Sequence, residues 1–169
     1  QQQDAAGHIH KAIQCAAQDV RSWIIRARVM MEIPEVSDYS KALDDAKHAD
    51  RQGNLGDPHA KRVVAMAHLR NAQYKEAIGE AREAMRLGDL PSINELVLAV
   101  AEAKSGSASV AQGHLLAAES SWESELRDPG EFRAFVSETG DLWIESADDL
   151  IRLKAEADAA IAASSGSPP

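Results

Sequence analysis

Pairs of alanines seven residues apart recur along the chain at a nearly constant interval. They are Ala5/Ala12, Ala42/Ala49, Ala77/Ala84 and Ala111/Ala118, and successive pairs are offset by 37, 35 and 34 residues. Seven residues is about two turns of α-helix, so each pair lies along one side of its helix. The spacing is reinforced by its surroundings. Tyr39 stands three residues before Ala42 and Tyr74 three before Ala77, while Gly7, Gly79 and Gly113 each follow the first alanine of a pair by two. The segment Tyr39–Asp50 (YSKALDDAKHAD) aligns without a gap on Tyr74–Met85 (YKEAIGEAREAM). A period of this length restricts the chain to repeat architectures, in which a unit buries its apolar side only against its neighbours.

Each period has room for a second helix. Val20–Ile33 (VRSWIIRARVMMEI) and Pro58–Asn71 (PHAKRVVAMAHLRN) carry apolar residues at helical spacing, such as Trp23, Ala27 and Met30 or Val64 and Ala67. Pro58 directly after Asp57 marks a first helical turn. Turns are predicted at Glu32–Asp38 with Pro34, at Gln52–Asp57 with two glycines, at Gly88–Pro91 and at Ser105–Ser107. Apolar residues make up 44% of the chain and aromatics only 4%, so alanine supplies much of the core. That suits close helix packing and disfavours a sheet, which draws on β-branched and aromatic residues. The expectation is an all-α chain of antiparallel helix pairs, with Gly79 and Gly113 placed where a neighbouring helix presses closest.

The pattern resembles the tetratricopeptide repeat, which has an aromatic and a small residue on its first helix and an aromatic with two alanines on its second. Trp23 and Ala27 fill the first-helix positions of one repeat, with Tyr39, Ala42 and Ala49 on its second helix. The next offers Ala65, then Tyr74, Ala77 and Ala84, and a third offers Ala99, then Ala108, Ala111 and Ala118. Residues 1–18 read as the second helix of a truncated repeat, 19–57 and 58–91 as full repeats, and 92–126 as a degenerate third. Three departures stand out: extra residues around Glu35–Asp38, Lys61 at a first-helix aromatic position, and Glu95 and Ala108 where the third repeat would carry aromatics. The resemblance implies a right-handed superhelical solenoid and a role in protein–protein interaction.

After about Leu126 the period fails. Residues 127–163 read as a C-terminal cap ending in a helix from about Ala147, with Ser146 as its N-cap and Leu150, Leu153, Ala157 and Ile161 as its apolar stripe. Residues 164–169 read as a flexible tail.

Signs of catalysis are weak. His8 and His10 are two apart, and His48, His59, His68 and His114 fall on different predicted helices, so no zinc-ligand spacing arises. Phosphate-loop, nucleophile-elbow and His-Glu-x-x-His patterns are lacking from the sequence. Cys15 reads as a small packing residue, and Asp44–Asp45 and Asp148–Asp149 read as solvated surface. The expectation is a protein that is not an enzyme, with no catalytic residue, metal or cofactor. A net charge of −9 argues against nucleic acid and against anionic membrane, and no apolar run reaches the length of a span.

Charge is distributed unevenly. Val20–Ile33 carries Arg21, Arg26 and Arg28 against Glu32, and Pro58–Asn71 carries Lys61, Arg62 and Arg70 with no acid. From Arg127 to Ala163, four bases face nine acids. In tetratricopeptide arrays the first helices line a concave groove, and the resemblance places Arg21, Ile24, Arg28, Met31, His59, Arg62, Met66, Leu69, Arg70, Ile93, Leu96, Val100 and Lys104 on it. Such a groove would take a protein or peptide segment bearing acidic and aliphatic residues. The Lys/Asn clamp of one family subclass is not matched, since Ile24, Arg28, Val63, Ile93 and Val97 hold those positions. Two other readings stay open. The chain, which opens on half a hairpin, could be a regulatory or scaffolding region of a larger kinase- or sulfatase-type polypeptide. It could also self-associate through that truncated N-terminal end.

Overall fold

The computed structural model describes residues 20–53, 56–127 and 142–166. Within them are seven α-helices and no strand: α1 Val20–Glu32, α2 Tyr39–Gln52, α3 Pro58–Arg70, α4 Tyr74–Arg86, α5 Pro91–Lys104, α6 Ala108–Arg127 and α7 Leu142–Ser164. The predicted half-hairpin at 1–18, with Cys15, His8 and His10, lies outside the described residues, as does 128–141 of the predicted cap. The chain divides into two compact units, one ending at Leu87 and the other beginning at Gly88.

The first unit holds two helix pairs in sequence. α1 packs on α2, α3 on α4, and the pairs are joined by α2 against α3 and by α1 against α3. The alanines are the contact points: Ala27, Ala42, Ala46, Ala49, Ala65, Ala77, Ala81 and Ala84 have no exposed surface. A methyl group at these places lets two helix axes come together at the short end of the usual 8–10 Å range. Helix boundaries follow local chemistry. Asp57 accepts hydrogen bonds from the backbone N–H groups of His59 and Ala60, with Pro58 at the first helical position. Asp38 caps α2 through the N–H of Lys41. The extra residues between α1 and α2 form a 3₁₀ turn, Pro34–Val36, which turns Val36 into the core. Gly56, between α2 and α3, has φ +106, a conformation that side chains rarely tolerate. Between α3 and α4, Ala72 takes a left-handed φ of 56°. There the Asn71 amide donates to Ala67 O at 2.8 Å and to Tyr39 O at 2.7 Å, tying the end of α3 to the start of α2.

Polar side chains join the same helices. Arg26 of α1 holds Asp45 of α2 with two hydrogen bonds, Nε to Oδ2 at 2.9 Å and Nη2 to Oδ1 at 2.8 Å. Its guanidinium also lies 4.4 Å from the centre of the Trp23 ring, which sits 4.3 Å from His48 of α2. Asp45 is therefore buried and paired, whereas the sequence suggested a solvated carboxylate; Asp44 is the exposed member of the two. Burial pushes the Asp45 carboxyl above its ordinary range despite the arginine. Lys61 of α3, at the position where the resemblance expects an aromatic, reaches Asp50 of α2 at 2.9 Å and Glu80 of α4 at 3.2 Å. One ammonium thus links three helices, and those two carboxylates hold its pKa above the ordinary lysine value despite its partial burial.

In the second unit α5 pairs with α6, and α7 packs on α5 more extensively than on α6. Ala103 of α5, Ala111 of α6 and Ala160 of α7 share one apolar cluster with Ile161 at its edge. Leu150, Leu153 and Ala157 are buried along α7, as the predicted stripe requires, but α7 starts at Leu142 rather than near Ala147. Ser146 thus lies within the helix and is not its N-cap. Asn94 is completely buried in α5, and its amide donates to Asp89 at 2.7 Å and to Leu90 O at 2.8 Å.

The two helical glycines do not mark close approaches. A Cβ built on Gly79 or Gly113 meets nothing within 4 Å, and both residues are exposed. The alanines two positions earlier carry the packing instead. Opposite outcomes follow for neighbouring positions. Ala77→Leu and Ala111→Leu should each overpack and lower stability by ~1–3 kcal/mol. Gly79→Ala and Gly113→Ala should each raise it by up to ~1 kcal/mol by restricting the unfolded chain and favouring helix. Urea melts of the four variants check both signs.

Candidate functional site

The residues assigned to a groove separate sharply by burial. In the first unit Ile24, Met31, Met66 and Leu69 are at most 5% exposed, and in the second Ile93, Leu96 and Val100 are at most 1% exposed. The aliphatic half of the expected groove is therefore core. The cause is the position of the first helices: α3 packs against α1, α2 and α4, and its residues 62–69 are all buried. α5 is enclosed by α6 and α7 and is buried over 92–94 and 96–101. The sequence contains the signal. RVVAMAHL and LVLAVA have no polar stripe, and a helix apolar on every side belongs in an interior.

The polar members divide further. Arg21 and Lys104 are exposed and Arg70 is half-buried, whereas Arg28 and Arg62 are each only 6% exposed. Arg28 donates to Glu32 one turn on, with Nη2 to Oε1 at 3.1 Å and Nε to Oε1 at 3.2 Å. The positive charges of Arg62, on the same helix, and of Arg28, on α1, both act on His59 in the first turn of α3. The His59 imidazole is largely enclosed, and its Nε2 is sealed from solvent with no hydrogen-bond partner among the described residues. Burial first, and then the positive charges of Arg62 and Arg28, push its pKa from 6.5 down to about 3. It stands neutral at physiological pH, beside two guanidinium groups and at the positive end of a helix dipole.

Two other described histidines have partners of their own. His68 Nδ1 lies 2.6 Å from Gln73 Oε1, and His114 Nδ1 of α6 lies 2.6 Å from Glu95 Oε2 of α5. No group of three or more His, Cys, Asp or Glu among the described residues is arranged to hold a metal ion. No described helix is long and apolar enough to cross a membrane.

A surface feature was not anticipated from the sequence. The exposed side of α4 carries Lys75, Glu76, Gly79, Arg82 and Arg86. The matching side of α6, offset by 34 residues, carries Ser109, Val110, Gly113, Leu116 and Ser120, with no charge at all. Val110 is 46% exposed and Leu116 58%. Aligning the second helices position by position would have exposed the contrast, since only there do the charges vanish.

No protein-family model matches the chain, and neither a curated protein nor a solved structure does.

The depressed pKa of His59 has a measurable consequence. Its folded-state pKa, about 3, lies below its unfolded value of 6.5, so between those limits the unfolded chain binds the extra proton. The neutral ring's contribution is fully present above pH 6.5 and is lost as pH falls toward 3, at up to about 1.4 kcal/mol per pH unit. Urea melts from pH 7 to pH 4 should show stability falling more steeply in the wild type than in His59→Gln, by up to one proton's worth of slope. Parallel slopes would mean that His59 is not held neutral.

Proposed function

We propose that this chain is a protein-interaction module, a non-catalytic scaffold built of tetratricopeptide-like helix pairs, which holds an acidic segment of a partner at the cationic cluster of the first unit. In this reading the pairs are turns of a right-handed superhelical solenoid. The supporting observation is that two arginines of different helices, Arg28 and Arg62, both act on His59 in a chain whose net charge is −9. Two nearly buried guanidinium groups stand on α1 and α3, which pack on each other. Carboxylates are the natural complement, because a guanidinium presents parallel N–H donors to both oxygens. The aliphatic anchors expected beside them are in the core, so the specificity of this reading rests on charge and hydrogen bonding. A second reading, self-association, draws on the uncharged side of α6, where Val110 and Leu116 meet water; light scattering across concentration separates it from a monomeric adaptor.

Fluorescence anisotropy with a labelled, end-blocked peptide of alternating Glu and Leu tests the main reading. Binding should weaken only modestly between 50 and 300 mM salt, since charges as buried as Arg28 and Arg62 are screened far less than exposed pairs. Arg28→Met with Arg62→Met keeps the aliphatic stems and should abolish it, while Arg→Lys at both positions should retain part of it, with helicity checked by circular dichroism. Undiminished binding by the folded Met variant would place the working surface elsewhere.

A further inference from the structure

The outward side of α6 departs from its counterparts on the other two second helices. Lys41, Asp44, Lys47 and Arg51 on α2 correspond to Glu76, Gly79, Arg82 and Arg86 on α4, and to Val110, Gly113, Leu116 and Ser120 on α6. All of these are exposed except Lys47, which is half-buried. At 3.6 residues per turn, Ser109, Val110, Gly113, Leu116, Ala117 and Ser120 fall within about 120° of one another, and none carries a charge. Val110 and Leu116 meet water, and between them Gly113 leaves a notch, since a Cβ built there meets nothing within 4 Å. The charges at the edges are engaged within the chain. Lys154 of α7 reaches Glu119 and Asp158, each at 3.1 Å, and His114 lies 2.6 Å from Glu95. A strongly charged partner therefore finds no opposite charge on this side.

We infer that the occupant is a second copy of this chain, its α6 antiparallel to the first across a two-fold axis at Gly113. The inference rests on the self-association reading above and specifies its geometry. Two arguments select a copy. The first is charge: molecules of net charge −9 repel each other, and they approach at least cost where neither presents a charge. The second is pattern. A two-fold interface sets residue i against j and j against i. About Gly113 the sequence is self-complementary, with Val110 and Leu116 three residues to either side and Ser109 and Ala117 four. Val110 then meets the partner's Leu116, twice, and the facing glycines let the two helices cross closely. From Ser109 to Ser120 the side is about 17 Å long. It buries less than the ~800 Å² per partner of a standard interface, so the dimer is weak. Salt strengthens it, by screening the repulsion between the copies.

Analytical ultracentrifugation of the full chain across concentration tests the pairing. It should show a monomer–dimer equilibrium whose dimer fraction grows as salt rises from about 50 to 500 mM. Val110→Lys with Leu116→Lys should leave a monomer at every concentration, even though it lowers the net negative charge, with helicity checked by circular dichroism. Gly113→Cys in a Cys15→Ser background puts a thiol on the axis, and mild oxidation should link two chains through it. Gly79→Cys in the same background, at the matching exposed position of α4, should not link. A wild type that stays monomeric throughout would overturn the inference and the self-association reading together. Association undiminished in the folded double-lysine variant would move the interface off α6 and overturn the inference. Association lost in that variant, with no more linking in Gly113→Cys than in Gly79→Cys, would overturn the two-fold pairing and leave self-association through α6 standing as a head-to-tail contact.

Discussion

Everything in this chain depends on alanine at helix crossings. A helix of about 13 residues is marginal in isolation and is held by what it packs against. Here the packing partner is another short helix, and with so few aromatics the buried area per contact is modest. Stability must then come from closeness: Ala42, Ala46 and Ala49 on α2 and Ala77, Ala81 and Ala84 on α4 leave no side chain between backbones. The arrangement fixes which substitutions are tolerated, because nothing larger fits at these sites while a turn away the helix meets only water.

Small contacts determine distance but discriminate poorly between registers, since one alanine resembles another. The polar links supply that discrimination. Arg26 meets Asp45 in a fork-to-fork pair that a one-residue slip would break. Lys61 is positioned to reach Asp50 and Glu80 at once, and Asn71 reads the backbone of Tyr39 across 32 residues of sequence. Such partly buried pairs contribute little net stability by themselves, but a mispaired helix would strand their charges. At position 61 the contact between α2, α3 and α4 is made by a charged side chain.

The sequence conveyed the scaffold far better than the surface. Helix positions, the Asp57–Pro58 start and the Pro34 turn were legible because they depend on local chemistry and on a period that repeats. The start of α7 was not, because Ser146 imitates an N-cap in a stretch with no period to correct it. Gly79 and Gly113 misled for a related reason: a glycine spaced with the alanines suggests crowding, and only the three-dimensional arrangement reveals open space beside it. The groove failed in its aliphatic half because periodicity gives which side of a helix is apolar but not how many neighbours surround it. Arg28 and Arg62 were assigned to the groove through the resemblance, and their burial was invisible, since their one-letter identity argues for solvent.

That burial changes what the arginines can do. An exposed guanidinium is strongly solvated and its field is spread by salt, whereas one that is 6% exposed keeps its field in a poorly screened interior. Arg28 on α1 is bonded to Glu32, and His59, its pKa pushed down by burial and by both guanidiniums, stays neutral. A protonatable ring in that position answers to the balance of charge around it more than to bulk pH. Burial first, and the two guanidiniums after it, keep the ring unprotonated through the physiological range. The same close packing that builds the fold thus encloses the imidazole and both guanidiniums.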